Sequence, residues 1–180
     1  TGTTTSVKPL LAWVNLGADQ GPVYDQGWSF DARLFAAADY DQIRVWEIDA
    51  GQEASLLSGH TDFVTGLAWS PNASLLASAS QDGTVRLWEG ASLTLTAVLE
   101  IDQPLGCLTW SPDGRQLAAG SYTGNVHLLD VTTQEVLNTW STDTANNGRD
   151  DIISIAWSPD GQTIASGDLD GNIYLWDVTT

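Results

Sequence analysis

The chain has 180 residues, enough for one domain with a sizeable core, and 42% of them are apolar, which argues against a disordered chain. A formal charge of −17 disfavours nucleic acid, whose phosphates it would repel, and leaves basic partners open. A single cysteine, Cys107, excludes an internal disulfide and fits a reducing, cytoplasmic setting, and no run reaches the roughly 18 apolar residues of a membrane helix or reads as a signal peptide.

Residues 1–9 open with Thr1-Gly-Thr-Thr-Thr-Ser6 and read as a linker-like N-terminal segment. There is no initial Met, which suggests a piece of a longer protein or a trimmed product. Residues 10–16 (Leu-Leu-Ala-Trp-Val-Asn-Leu) read as a spare strand placed before four repeats. The repeats span about 21–57, 59–99, 103–140 and 149–180. They align on Trp28, Trp69, Trp110 and Trp157, at spacings of 41, 41 and 47 residues. The longer spacing comes from a polar insertion over residues 142–148, expected to be a loop.

Each repeat holds short apolar runs separated by turn residues. In the second, Ser70-Pro71-Asn72 and Gln81-Asp82-Gly83 punctuate three runs between His60 and Trp88. The third run alternates with period two in every copy: Ile43-Arg44-Val45-Trp46, Val85-Arg86-Leu87-Trp88, Val126-His127-Leu128-Leu129 and Ile173-Tyr174-Leu175-Trp176. Asp-Gly before this run suits a hairpin, because Gly takes positive φ at little cost. A fourth strand is expected near 53–57, 93–99 and 135–140, but no counterpart follows Asp177-Val-Thr-Thr180. The fold class is therefore all-β, in units of four antiparallel strands, the last unit lacking its outer strand.

The repeats resemble the WD40 family. Repeat two carries Gly59-His60, Ser78, Asp82 and Trp88; repeat four carries Ser158-Pro-Asp-Gly161, Ser166, Asp170 and Trp176-Asp177. The resemblance implies β-propeller blades and, in repeat two, a structural tetrad of His60, Ser78, Asp82 and Trp88. Repeat three departs most, with Ala119, Thr123 and Leu129 in three of those places and no matching His, so its blade is expected to rely on apolar packing. Rings of this architecture close with about four to eight blades. Three arrangements follow: part of a seven-bladed ring completed by missing blades, half of an eight-bladed homodimer exchanging strand 10–16, or one chain closed as four blades.

No catalytic or cofactor site is expected. The His60, Asp82 and Ser78 set reads as structural, His127 is the sole further histidine, so a multi-His metal site is not expected, and the Asp-Gly pairs lack calcium-loop spacing. Asn72-Ala-Ser74 matches a glycosylation sequon by chance in a tight turn, and Cys107 reads as packing in a column with Asp25, Gly66 and Ser154. The resemblance places binding on the face that carries the Asp-Gly turns. There Tyr40, Gln81, Tyr122 and Leu169 stand at the turn tips, with Asp62, Phe63, Gln103, Asp150 and Asp151 at the starts of the inner strands. Aromatic points inside an acidic rim suit a basic peptide or protein; the tyrosines could equally cover neighbouring blades. The expected function is a non-catalytic interaction scaffold. The alternative is a sensor or regulatory module of a larger enzyme, such as a bacterial kinase or NTPase.

Overall fold

The computed structural model describes residues 22–142 and 150–179. The linker at 1–9, the strand expected at 10–16 and most of the insertion lie outside them. Thr142, assigned by sequence to the insertion, is buried where it follows the last strand of the third sheet, its N–H bonded to Gly124 O at 3.0 Å.

Among the described residues, fifteen strands form four antiparallel sheets. Blade one holds β1 (Gln26–Trp28), β2 (Leu34–Asp39), β3 (Gln42–Glu47) and β4 (Gln52–Ser58). Blade two holds β5 (Val64–Trp69), β6 (Leu75–Ser80), β7 (Thr84–Glu89) and β8 (Leu95–Glu100). Blade three holds β9 (Leu105–Trp110), β10 (Gln116–Ser121), β11 (Asn125–Asp130) and β12 (Val136–Ser141). Blade four holds β13 (Ile152–Trp157), β14 (Thr163–Asp168) and β15 (Ile173–Asp177), three strands among the described residues. Within each sheet the strands lie in chain order, so every connection is a local hairpin. Strand β8 begins two residues later than expected, because Leu93 sits in the turn at φ 55°.

The hairpin after each inner strand is built the same way. In blade three the Ser111 hydroxyl donates to Asp113 (2.7 Å) and accepts the Gln116 N–H (2.9 Å), and Gly114 turns the chain at φ 70°. Ser158, Asp160 and Gly161 repeat this in blade four. Ser29 and Asp31, then Ser70 and Asn72, repeat it in blades one and two, but there Ala32 and Ala73 take the left-handed position at φ 57° and 56°. This is the local reason for the Ser-Pro-Asp-Gly pattern: a hydroxyl and a carboxylate satisfy the turn, and the fourth residue must accept positive φ.

The core lies between blades rather than within them. Alternation gives each sheet a forward and a backward face. The forward face of blade one (Ile43, Val45) meets the backward face of blade two (Leu67, Leu76, Trp88), and all five are buried. Val85 and Leu87 meet Leu108, Leu117 and Leu129 in the same way. Val126 and Leu128 meet Ile164 and Trp176. Small residues let the inner strands converge: a Cβ on Gly120 would lie 2.4 Å from Ile152 Cγ2 and 2.7 Å from Cys107 Sγ. Cys107 is buried there, its thiol 3.6 Å from Ile152 O, and burial pushes its pKa to about 12.

The ring is not closed. Ile173 and Leu175, in the column that is buried in the other three blades, are 79% and 73% exposed. At the other end Trp28 is 50% exposed. The four-bladed closure allowed by the sequence is therefore not what the chain forms: its first and last blades do not cover each other.

Candidate interaction face

The tetrad of blade two assembles as one directed chain. Trp88 Nε1–H donates to Ser78 Oγ (3.0 Å), the Ser78 hydroxyl donates to His60 Nε2 (2.8 Å), and His60 Nδ1–H donates to Asp82 Oδ2 (2.8 Å). Asp82 also accepts the Thr61 N–H (3.0 Å) and the Thr84 hydroxyl (2.7 Å). Burial draws the His60 pKa below its ordinary value, more strongly than the neighbouring carboxylate raises it, so the ring is neutral with its proton on Nδ1. Burial pushes Asp82 upward, but the hydrogen bonds from Thr84, His60 and Thr61 together outweigh it and hold the carboxyl below its usual range. Every polar atom of the set points inward to a partner, so the arrangement stabilises a blade and presents no nucleophile to solvent.

Blade three does not rest on apolar packing alone. Gln103 Oε1 accepts from the Thr123 hydroxyl (2.7 Å) and Asn125 Nδ2 (2.9 Å) and lies 3.2 Å from His127 Nε2. His127 Nδ1 lies 3.1 Å from Thr139 Oγ1. A glutamine that the sequence places on the open rim thus serves where blade two uses an imidazole. In blade four Trp176 Nε1 donates to Ser166 Oγ at 2.9 Å as expected. A second carboxylate of that blade, Asp168, accepts from Asn172 Nδ2 (2.9 Å) and Tyr174 OH (3.1 Å). Asp168 shares a column with Asp39, Ser80 and Ser121. Asp39 is buried and accepts from Arg44 Nε at 2.6 Å; Ser80 and Ser121 cap the following turns. The signal for this second polar column is the recurrence of Asp or Ser at the last residue of each second strand.

The turn-tip residues divide into two kinds. Tyr40, 44% exposed and at φ 57°, sets its ring edge against Phe63 of the next blade, centroids 4.4 Å apart. Tyr24 meets the same ring at 5.3 Å. Phe63 therefore sits in an aromatic cluster across the first blade junction. Tyr24 was not among the sequence candidates; its signal is an aromatic heading an inner strand, where the other repeats have Thr65, Gly106 and Ile153. Tyr122 is half-buried: its ring lies over Gly106, its hydroxyl faces the Gln81 side chain, and burial pushes its pKa up. Tyr122 and Gln81 thus face each other across the junction of blades two and three. Leu169 is 48% exposed at the fourth tip.

The acidic candidates stand at the starts of inner strands. Asp62 is half-buried and accepts the Phe63 N–H (2.8 Å). Asp150 lies against Gly124, and the Asp151 carbonyl accepts the Leu169 N–H (3.2 Å). Beneath this face a cleft of about 320 Å³ runs along the inner strands, bordered by Tyr24, Asp25, Cys107, Tyr122 and Ser154. Among the described residues, no group of three His, Cys, Asp or Glu side chains is placed to hold a metal, and no helix is long and apolar enough to cross a membrane.

These sheets, radially repeated and packed face on face, define a β-propeller type of protein. The WD domain, G-beta repeat family (WD40) matches residues 51–89 and 139–177, and the Anaphase-promoting complex subunit 4 WD40 domain family matches 94–146. The chain belongs to the WD40-repeat family. Each WD40 match runs from the outer strand of one blade through the third strand of the next or its counterpart, so the sequence unit straddles a blade junction. The chain is 41% identical over 81 residues to "Protein transport protein SEC13" of Phaeosphaeria nodorum, covering 39% of this chain and 27% of that protein. It is 42% identical over 65 residues to "Coronin-7" of Rattus norvegicus, 36% of this chain and 7% of that one. It is 49% identical over 53 residues to "Periodic tryptophan protein 2 homolog" of Mus musculus, 29% and 6% respectively. The matched stretches thus span about a quarter or less of these relatives.

Proposed function

We propose that the chain is a non-catalytic protein-interaction scaffold whose loop face takes a basic peptide or protein segment in a cytoplasmic setting. The observation that carries this is the half-exposed aromatic cluster of Tyr24, Tyr40 and Phe63. Each of its rings has an acid beside it in the chain: Asp25, Asp41 and Asp62. Aromatic faces attract Lys and Arg side chains, and a formal charge of −17 steers cations toward the molecule. Asp150, Asp151 and Leu169 extend the same surface toward blade four, with Gln81 and Tyr122 between.

An array of short peptides of graded charge tests the reading. Lys- and Arg-rich peptides are expected to bind best, more weakly as salt rises. Tyr40→Ala is expected to lower their affinity about tenfold, roughly 1.4 kcal/mol, with little change in melting temperature. Equal binding of acidic and basic peptides, or an unchanged affinity in Tyr40→Ala, would refute it. In a second reading the same face serves as a regulatory module within a longer polypeptide; the small share of Coronin-7 covered by the match favours it. The complete coding sequence decides between the two.

A further inference from the structure

We infer that two copies of this chain close one eight-bladed ring, the forward face of blade four in each copy seated on the backward face of blade one in the other. This is independent of what the loop face binds. The chain builds one kind of junction three times, always from a forward face with an aliphatic pair on its third strand and a backward face with bulky apolar groups. Among the described residues one of each is left unpaired. The forward pair is Ile173 and Leu175, in the column where Ile43, Val45, Val85, Leu87, Val126 and Leu128 are all 4% exposed or less. The backward face carries a row of tilted aromatic rings, the half-exposed Trp28 against Phe35 at 5.1 Å and Phe35 against the buried Trp46 at 5.8 Å.

One of the three junctions also carries a polar contact: between blades two and three, Trp110 Nε1 donates to the carbonyl of Ala68 at 2.8 Å, whereas Trp69 and Trp157 in the same column keep a buried indole N–H with no partner among the described residues. Trp28 holds the place of Trp110 and Ala156 holds the place of Ala68, so the Trp28 indole of one copy is positioned to donate to Ala156 O of the other. The area suffices. Strands about 4.8 Å apart rising about 3.3 Å per residue give blade one a four-stranded face of roughly 19 by 20 Å and blade four a three-stranded face of roughly 14 by 20 Å. Covering one face of each kind removes on the order of 700 Å² per chain, close to the about 800 Å² per partner of a stable interface. Eight blades lie within the range that propellers close with, and a head-to-tail contact whose rotation closes gives a finite ring rather than a filament.

Light scattering and sedimentation from about 1 to 100 μM test this, at about 0.15 M salt and again at about 0.5 M to screen the repulsion between two acidic chains. The expected mass is twice 19.2 kDa. Leu175→Asp and Trp28→Asp each place a charge in both junctions of the ring and are expected to weaken association at least a hundredfold. Both side chains are at least half exposed in the single chain, so an unchanged circular dichroism spectrum is expected to show the fold intact. A monomer throughout the range would overturn the inference and leave the two faces to further blades or another partner. A ladder of masses growing with concentration would overturn the closed ring. A dimer indifferent to both substitutions would place the contact elsewhere.

Discussion

Ser78→Ala isolates the energetics of the tetrad with a change of one oxygen. Ser78 is fully buried, and its hydroxyl joins Trp88 Nε1 to His60 Nε2, each on a residue no more than 4% exposed. Removing it strands a buried indole N–H and a buried imidazole lone pair. Each unsatisfied group costs about 1–3 kcal/mol, so a loss of about 3 kcal/mol is expected. Blade three shows that the oxygen is needed only because the other groups are polar: Ala119 and Leu129 fill the corresponding sites, are fully buried and strand nothing. In blade four Ser166 accepts, among the described residues, from Trp176 alone, which is partly exposed, so Ser166→Ala should cost about 1 kcal/mol. Urea and thermal unfolding measure both. For a chain of this size about 3 kcal/mol corresponds to a drop of about 6–12 °C in melting temperature. A loss below about 1 kcal/mol in Ser78→Ala, or one no larger than in Ser166→Ala, would refute the view that the tetrad anchors blade two.

Acid should unfold the chain in two stages. His60 and His127 both titrate below the ordinary histidine value of 6.5 when folded, so the unfolded chain takes up protons first as pH falls. Their stabilisation is full above pH 6.5 and declines below it, at up to about 1.4 kcal/mol per pH unit for each. Asp82, whose pKa is depressed below 3.8, adds a further loss as pH falls through its folded value. Unfolding free energies from pH 8 to 3 should show both stages, and His60→Gln should flatten the first; a flat profile from pH 7 to 5 in the unsubstituted chain would contradict the assignment. Ala73→Gly, by relieving a left-handed alanine at φ 56°, should stabilise the chain by up to about 1 kcal/mol. The control Gly114→Ala should do the reverse, since Gly114 lies at φ 70° in the same turn.

Much of the blade is written locally. The Ser-Pro-Asp-Gly turns, the period-two alternation around Val85 and Leu87, and the tetrad residues of blade two each depend on neighbours a few positions away or on one recurring column. Where a column breaks, local pattern is silent. Nothing near Gln103 marks it as a bonded group, because its three partners, Thr123, Asn125 and His127, lie 20 to 24 residues further on. In blade four Asn172 and Tyr174 donate to Asp168 at the strand end, a carboxylate that the Asp-Gly pattern of the turn does not mark. The face residues show the same limit. Tyr40 and Tyr122 align in sequence, yet one is exposed against Phe63 and the other folds down over Gly106, because only one of the two inner strands leaves room above a glycine.

By itself the sequence determined the strands, their antiparallel order and the faces they bury, since side-chain alternation and turn chemistry are properties of short segments. Only the tertiary structure decided which polar groups find each other and which faces stay open. Those outcomes depend on what stands across a blade junction. Ile173 and Leu175 carry the same pattern as Val126 and Leu128; they differ only in having nothing packed against them among the described residues.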